Sequence, residues 1–338
     1  MDNCLVTKLK GVVDNDNLLK LGEMVVKFDV AETVSDDFLA ITVSNTKPCV
    51  ATVKNGTFMN SDYSASEGTE KSIPADTAVV LRVSNTGADV HITEKYTLNV
   101  SYATYGYFHK GIHFNLTEDT RYGYNTFNEG IILRGFEDMT GELNKLKGSF
   151  TWFDLTNCFS FGGTINGDFT VANDFNGNST LIGGVFANSF IDKSKAFIQQ
   201  ISIQQSAIYD DIANFPVCSQ LNLLRLSGGN KLYGNIANFP QLPLLQYLYF
   251  DDIRNISGEL SSLYAANTMV DLGVFNTGIT GSLEDFAQAC VGRGRTSGTL
   301  KINLGGTAIT YQGVPATNTN WYWTITFNGS GYTITSGW

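Results

Sequence analysis

At 338 residues, with 43% hydrophobic and 12% aromatic side chains, the chain is long enough for two domains or for one domain plus a repeat array, and its apolar content excludes global disorder. A net charge of −10 and a pI near 4.8 exclude nucleic-acid binding through a basic surface, which relies on Lys and Arg. Cys4, Cys49, Cys158, Cys218 and Cys290 are odd in number, scattered and free of any C-x-x-C spacing, which predicts reduced, mostly buried thiols and assembly in a cytosol.

Met1–Lys10 has no basic segment followed by an apolar one, so no secretory signal is predicted. No stretch approaches about 18 apolar residues, which predicts no transmembrane helix and no membrane insertion. Residues 1–23 read as a docking leader. Leu5, Val6, Leu9, Val12 and Val13 are the expected anchoring side chains, followed by an Asp14-Asn15-Asp16-Asn17 turn and Leu18-Leu19-Lys20-Leu21. That turn lacks the Gly and the distal Glu of a twelve-residue calcium loop.

From residue 24 to 105 strict alternation takes over. Val26-x-Phe28-x-Val30, Leu39-x-Ile41-x-Val43, Val79-x-Leu81-x-Val83, Val90-x-Ile92 and Tyr96-x-Leu98-x-Val100 predict strands. They predict a small antiparallel β-sandwich serving as an anchor domain. Asn55-Gly56 reads as a hairpin dipeptide, because both residues tolerate positive φ. Residues 106–129 are aromatic and irregular and read as a connector and cap, which a repeat array needs at its end.

Residues 130–338 carry a repeat. Leu224-x-Leu226 is followed by Asn230-x-Leu232-x-Gly234-x-Ile236, Leu248-x-Phe250 by Ile256-x-Gly258-x-Leu260, and Leu272-x-Val274 by Ile279-x-Gly281-x-Leu283. The Gly spacing is 24 and then 23, a period that predicts a solenoid with a parallel sheet. The Gly allows a tight turn, and the preceding Asn230, Asn255 and Asn276 are expected to bond to turn backbone. The grammar recurs at Phe153-x-Leu155 with Phe161-x-Gly163-x-Ile165, and at Ile201-x-Ile203 with Ile208-x-Asp210-x-Ile212. It returns at Ile302-x-Leu304 with Ile309, and at Ile325-x-Phe327 with Tyr332-x-Ile334, for seven or eight coils. Between about Asp168 and Ala196 the register is poor and an irregular repeat or insertion is expected. The 30-residue step from Leu272 to Ile302 is assigned to a surface loop at Gly292-Arg293-Gly294-Arg295, with an acidic partner or a neighbouring subunit as its sharper reading. The fold class is therefore mainly β.

The coils at Leu245–Leu260 and Met269–Leu283 resemble the leucine-rich repeat of the plant-type and bacterial surface class, whose close is Asn-x-Leu-x-Gly-x-Ile-Pro; the resemblance extends over about residues 126–338. Here the Asn drifts, the Pro is absent and several coils lack the Gly, which implies a less regular coil. The opening Asn3–Val13 with Asn15–Leu18, and Val83–Ile92 leading into Glu94-Lys95-Tyr96, are similar to N-terminal parts of structural proteins of crAss-like phages that infect Bacteroides. That similarity implies a virion anchor in front of a displayed domain, in an auxiliary capsid protein or head fibre assembled in the host cytoplasm.

His109 and His113 stand four apart, but Gly111 and the flanking aromatics disfavour the helix a metal site would need, and His91 reads as a surface strand residue. Asp210-Asp211 and Asp251-Asp252 have the residue type of glycosidase acids but fall in repeat turns, where Asp serves backbone hydrogen bonding. No nucleophile–base arrangement occurs, and no enzyme, cofactor or metal is expected. The candidate binding face is the solvent side of the array strands: Asp154, Ser202, Gln204, Arg225, Tyr249, Asp251, Phe275 and Asn303. Expected partners are other virion proteins and a host surface glycan or protein, with homo-oligomerisation left open. The alternatives are a bacterial leucine-rich-repeat adhesin and a tail-associated receptor-binding protein.

Overall fold

The computed structural model describes residues 24–30, 39–43, 48–61, 64–75, 77–83, 88–92, 98–101, 114–116, 121–122, 130–134, 140–229, 231–264 and 268–338. The leader residues Leu5, Val6, Leu9, Val12 and Val13, the Asp14–Asn17 turn, Asn230, His109 and His113 lie outside them. The fold is mainly β.

The five alternating segments form strands Met24–Val30, Leu39–Val43, Thr77–Val83, Ala88–Ile92 and Leu98–Ser101. Further strands at Cys49–Lys54, Gly56–Met59, Ser66–Gly68 and Glu70–Ile73 join them. One antiparallel layer runs Met24–Val30, Ala88–Ile92, Cys49–Lys54, Glu70–Ile73. The other runs Leu98–Ser101, Leu39–Val43, Thr77–Val83, Gly56–Met59, Ser66–Gly68. Ala51, Val53 and Ile73 from the first layer and Phe58, Val79 and Leu81 from the second share a buried core. The Asn55-Gly56 expectation needs correction. Asn55 does have positive φ (56°), but the strands on either side of it belong to different layers. The dipeptide is a corner between sheets. Gly56 serves close packing: a Cβ there would lie 2.8 Å from the Arg82 carbonyl oxygen.

Backbone pairing continues from these layers into the array. Leu98–Ser101 pairs in parallel with Gly130–Arg134, which pairs in parallel with Lys147–Leu155. Within 106–129, the short strands Phe114–Leu116 and Arg121–Tyr122 pair with Met24–Val30 on one side and with array strands on the other.

The array itself is a parallel ladder. Phe153, Phe175, Ile201, Leu224, Leu248, Leu272 and Ile302 stand in one lateral row, at steps of 22, 26, 23, 24, 24 and 30 residues. All are buried, as are Leu155, Ile203, Leu226, Phe250, Val274 and Leu304 two residues on. Each such side chain contributes roughly 1.5–3 kcal/mol by leaving water, and none could do so without its neighbours. A second parallel ladder forms at the closes, through Ile182–Gly184 and Ala207–Ile208, and through Gly234–Asn235, Ile256–Glu259 and Gly278–Thr280. Gly163, Gly184, Gly234, Gly258 and Gly281 hold φ between 89° and 123°, where a side chain is strained.

Asp168–Ala196 joins the ladder but is irregular, as expected. The strand Asp168–Gly177 places Phe175 in the core row, and Ile182-x-Gly184-x-Phe186 supplies the close. Its pairing with Lys147–Leu155 shifts register between Phe150 and Trp152, and its far turn carries the short helix Phe190–Ser194, which Ser189 caps by accepting from the Asp192 N–H. The long step before Ile302 is no loop. Its extra residues form the helix Leu283–Gly292, capped by the Ser282 hydroxyl, with Leu283, Phe286, Ala287 and Cys290 facing the core.

The last expected coil is the largest correction. Tyr322–Asn328 runs antiparallel to Ser297–Asn303, and Gly331–Ser336 folds back antiparallel on it. The alternation at Ile325-x-Phe327 does face the core, but the two-residue Gly329-Ser330 connection is too short for a parallel crossover and makes a hairpin. An identical five-residue stretch, recurring 24 residues on, takes the same local structure. Ile212-Ala213-Asn214-Phe215-Pro216 and Ile236-Ala237-Asn238-Phe239-Pro240 form equivalent 3-10 turns, stacking Phe186, Phe215, Phe239 and Phe250 with ring centroids 5.1–5.9 Å apart.

Candidate binding face

Between the buried rows, alternate residues of the ladder point the other way. One lateral row reads Asp154, Asn176, Ser202, Arg225, Tyr249, Gly273, Asn303, Tyr322. A second reads Trp152, Asp174, Gln200, Leu223, Tyr247, Asp271, Lys301, Thr324. The structure thus places Ser202, Arg225, Tyr249 and Asn303 in one row, with Gln204 two residues further along its strand and Asp251 and Phe275 in the turns just after theirs.

The centre is a charged and aromatic network. The Arg225 guanidinium lies 4.4 Å from the Tyr249 ring centroid. Tyr249 accepts from Arg225 and donates to Asp271, and burial pushes its hydroxyl up to about 12. Burial also raises the Asp271 carboxyl, while the Tyr249 hydrogen bond, Lys301 and Arg225 oppose that rise. Among the described residues, Asp271 Oδ1 is buried without a hydrogen-bond partner. Asp251 is raised chiefly by burial and accepts from the Phe275 N–H at 3.1 Å. Gly273 makes this packing fit: a Cβ there would lie 2.6 Å from Asp251 Oδ1 and 2.7 Å from the Tyr249 ring.

Beside this network stands an aromatic platform. The Phe275 and Trp321 rings lie over Gly305, with centroids 5.8 Å apart, and a Cβ on Gly305 would strike both. Asn303 accepts from the Gly305 N–H. Trp321 is 51% exposed, and the Tyr322–Trp338 pair, 4.8 Å apart and with Lys301 above Trp338, extends the platform to the end of the sheet.

Seven of the eight expected residues are half-buried, and the eighth is buried outright. Asp154 is 4% exposed; its carboxylate accepts from the Thr156 N–H (2.9 Å) and hydroxyl (2.6 Å), shaping the turn after its strand. Ser202 and Gln204 are half-buried and bond to one another. The candidates expected from the sequence are the residues between and after the two core positions, whereas Tyr247, Asp271 and Lys301, each one before the pair, project to the same side. Trp321, Tyr322 and Trp338 were missed because the hairpin was read as a further coil.

The Asp pairs are occupied structurally. Asp210 accepts from the Phe186 and Asp211 N–H groups and from Asn214, and Asp211 caps the Ile212–Asn214 turn. Asp252 accepts from the Asn276 amide, so Asn276 ties two coils together rather than bonding to its own turn. Arg293 and Arg295 also face inward. Arg293 donates to the Leu263 (2.8 Å) and Ser261 (2.6 Å) carbonyls, and Arg295 is buried over the Phe327 ring at 4.4 Å. Among the described residues there is no group of His, Cys, Asp and Glu able to hold a metal, and no helix long and apolar enough to cross a membrane. No protein-family profile, curated protein or solved structure matches this chain.

Proposed function

We propose that the chain is a non-enzymatic binding and display protein, its parallel stack a leucine-rich-repeat solenoid whose open sheet face contacts a partner. The observation that carries the reading is the continuous Ser202–Arg225–Tyr249–Gly273–Asn303–Tyr322 row flanked by the Phe275–Trp321 platform. Aromatic rings and Arg among polar groups on a preorganised backbone suit recognition, because little entropy is lost on contact. The carboxylates that would have to do chemistry instead bond to backbone and to each other's turns.

The setting we propose is a phage virion, where the N-terminal part docks onto the shell and the array is displayed to neighbouring virion proteins or to a host surface glycan or protein. The similarity of residues 3–18 and 83–96 to crAss-like phage structural proteins supports it. So does the unbroken backbone pairing from Leu98–Ser101 into Gly130–Arg134, which transmits the anchor's orientation to the array. The test is a cryo-EM map of particles containing the chain. Antiparallel layers against the shell with the array outward support a capsid decoration. Density at the tail tip points to receptor binding, and a chain found on bacterial envelopes instead of particles supports the adhesin reading and sinks the virion one.

A further inference from the structure

All the charge of this acidic chain lies before residue 302; residues 302–338 contain no Asp, Glu, Lys, Arg or His. This neutral segment builds the hairpin that closes the large sheet. Among the described residues, Gly331–Ser336 pairs only with Tyr322–Asn328. The closing pair Asn328↔Gly331 and the Gly337 N–H bonded to the Tyr322 carbonyl fix the alternation. The backbone N–H and C=O groups of Tyr332, Ile334 and Ser336 therefore point away from the sheet.

Open edges usually carry charge, proline or a bulge that discourages strand addition. Gly-Tyr-Thr-Ile-Thr-Ser has none of these, and its pairing runs without a register break. Tyr332 and Ile334 pack against the core yet are only half-buried, so the core itself stops short at this edge.

We propose that the outer edge of Gly331–Ser336 pairs antiparallel with the same strand of a second copy of this chain, making a two-fold dimer with one continuous sheet. Charge permits a like partner. Two copies carrying −10 each repel over most of their surfaces, whereas the hairpin strands carry no charge of their own, the acids beside them being Glu284 and Asp285 at the start of the helix Leu283–Gly292, where Tyr332 donates to the Glu284 carbonyl. The backbone alternation selects the register. With Ile334 on the two-fold axis, outward-facing Tyr332 meets Ser336 of the second copy, and Thr333 meets Thr335. The Ile334 side chains then meet on the core side, covering what is half-exposed in one copy, in the isologous arrangement a two-fold requires.

The test is sedimentation velocity of the full chain over a concentration series, with two double variants at exposed positions and near-UV circular dichroism as the check of folding. The wild type is expected to dimerise reversibly. Thr333→Lys with Thr335→Lys sets lysines opposite each other twice and should raise the dimer Kd by about tenfold or more. Thr333→Lys with Thr335→Glu sets opposite charges in the same two places and should restore dimerisation. A wild type that stays monomeric throughout overturns the proposal. So does a dimer that the lysine pair leaves intact, or one that the Lys/Glu pair weakens as much as the lysine pair does.

Discussion

The Asn235 side chain lies where a side chain on Gly258 would have to go. Asn235 accepts from the Ala237 N–H at 2.9 Å to cap the 3-10 turn of its own coil, and Gly258 of the next coil passes directly over its amide, with φ at 112°. Asp211 stands in the same relation to Gly234. Capping within a coil and stacking between coils thus use one residue pair.

Gly258→Ala should therefore destabilise through both strain and collision, by about 2–4 kcal/mol in chemical denaturation. Asn235→Ala in the same chain removes the collision but leaves the backbone strain, so the double variant should lose less than the sum of the singles. Strict additivity would show that the two residues do not act together.

How much of this was legible in the sequence follows from the range of the interactions involved. The buried rows were legible, because alternation that returns at a nearly constant step marks strands that bury their side chains in one shared core. The glycines were legible for the same reason. The Asp168–Ala196 coil was not, because Asp174 and Asn176 flank Phe175 and its long far turn shifts the period. The helix Leu283–Gly292 was hidden behind the Ile279-x-Gly281-x-Leu283 close, whose last residue is also the first of the helix. Direction was invisible altogether: Ile325-x-Phe327 shows the same alternation whether its strand runs parallel or antiparallel. Hence the outward row of the sheet was readable as far as Asn303, and its aromatic end was not.

Arg293, at the end of the helix Leu283–Gly292, ties that helix to the 3-10 turn Leu260–Ser262. Its guanidinium bonds to two carbonyls of the preceding coil and lies 5.0 Å from the Tyr264 ring. Arg293→Ala should cost about 2–3 kcal/mol, since hydrogen bonds to charged donors are lost and two carbonyls lose a partner. Lysine cannot span both acceptors as a planar fork, so Arg293→Lys should recover only part of this. Equal stability of all three proteins by denaturant titration would return these residues to the role of a solvated loop.

Cys158, Cys218 and Cys290 are fully buried thiols in no disulfide, and burial pushes Cys218 up to about 12 and Cys290 up to about 11. Thiol chemistry needs the thiolate and access; burial denies access to all three and disfavours the thiolate of Cys218 and Cys290. In the native protein at mildly alkaline pH, maleimide should leave all three unmodified, and unfolding in denaturant should expose them to rapid labelling. Peptide mass spectrometry separates them from Cys4 and Cys49. Native labelling at Cys218 would mean that the turn around it opens readily.

Asp174 bears on how the sheet face responds to pH. Its carboxyl is raised above the ordinary value of 3.8, first by burial and then by repulsion from Asp154. The folded state therefore holds this proton more tightly than the unfolded chain does. As pH climbs from the unfolded value through the raised one, the unfolded state ionises first, and stability is lost across that interval rather than gained. Above it the loss is complete and constant. Asp174→Asn removes the ionisation, so it should stabilise the protein at neutral pH, where the unfolded chain's carboxyl is charged, and leave it nearly unchanged at a pH below 3.8, where the carboxyl is protonated in both states. Denaturant midpoints of the two proteins, measured across that range, should converge as the solution is acidified. Midpoints that instead diverge towards acid pH would mean that the Asp174 charge stabilises the ladder, contrary to its burial beside Asp154.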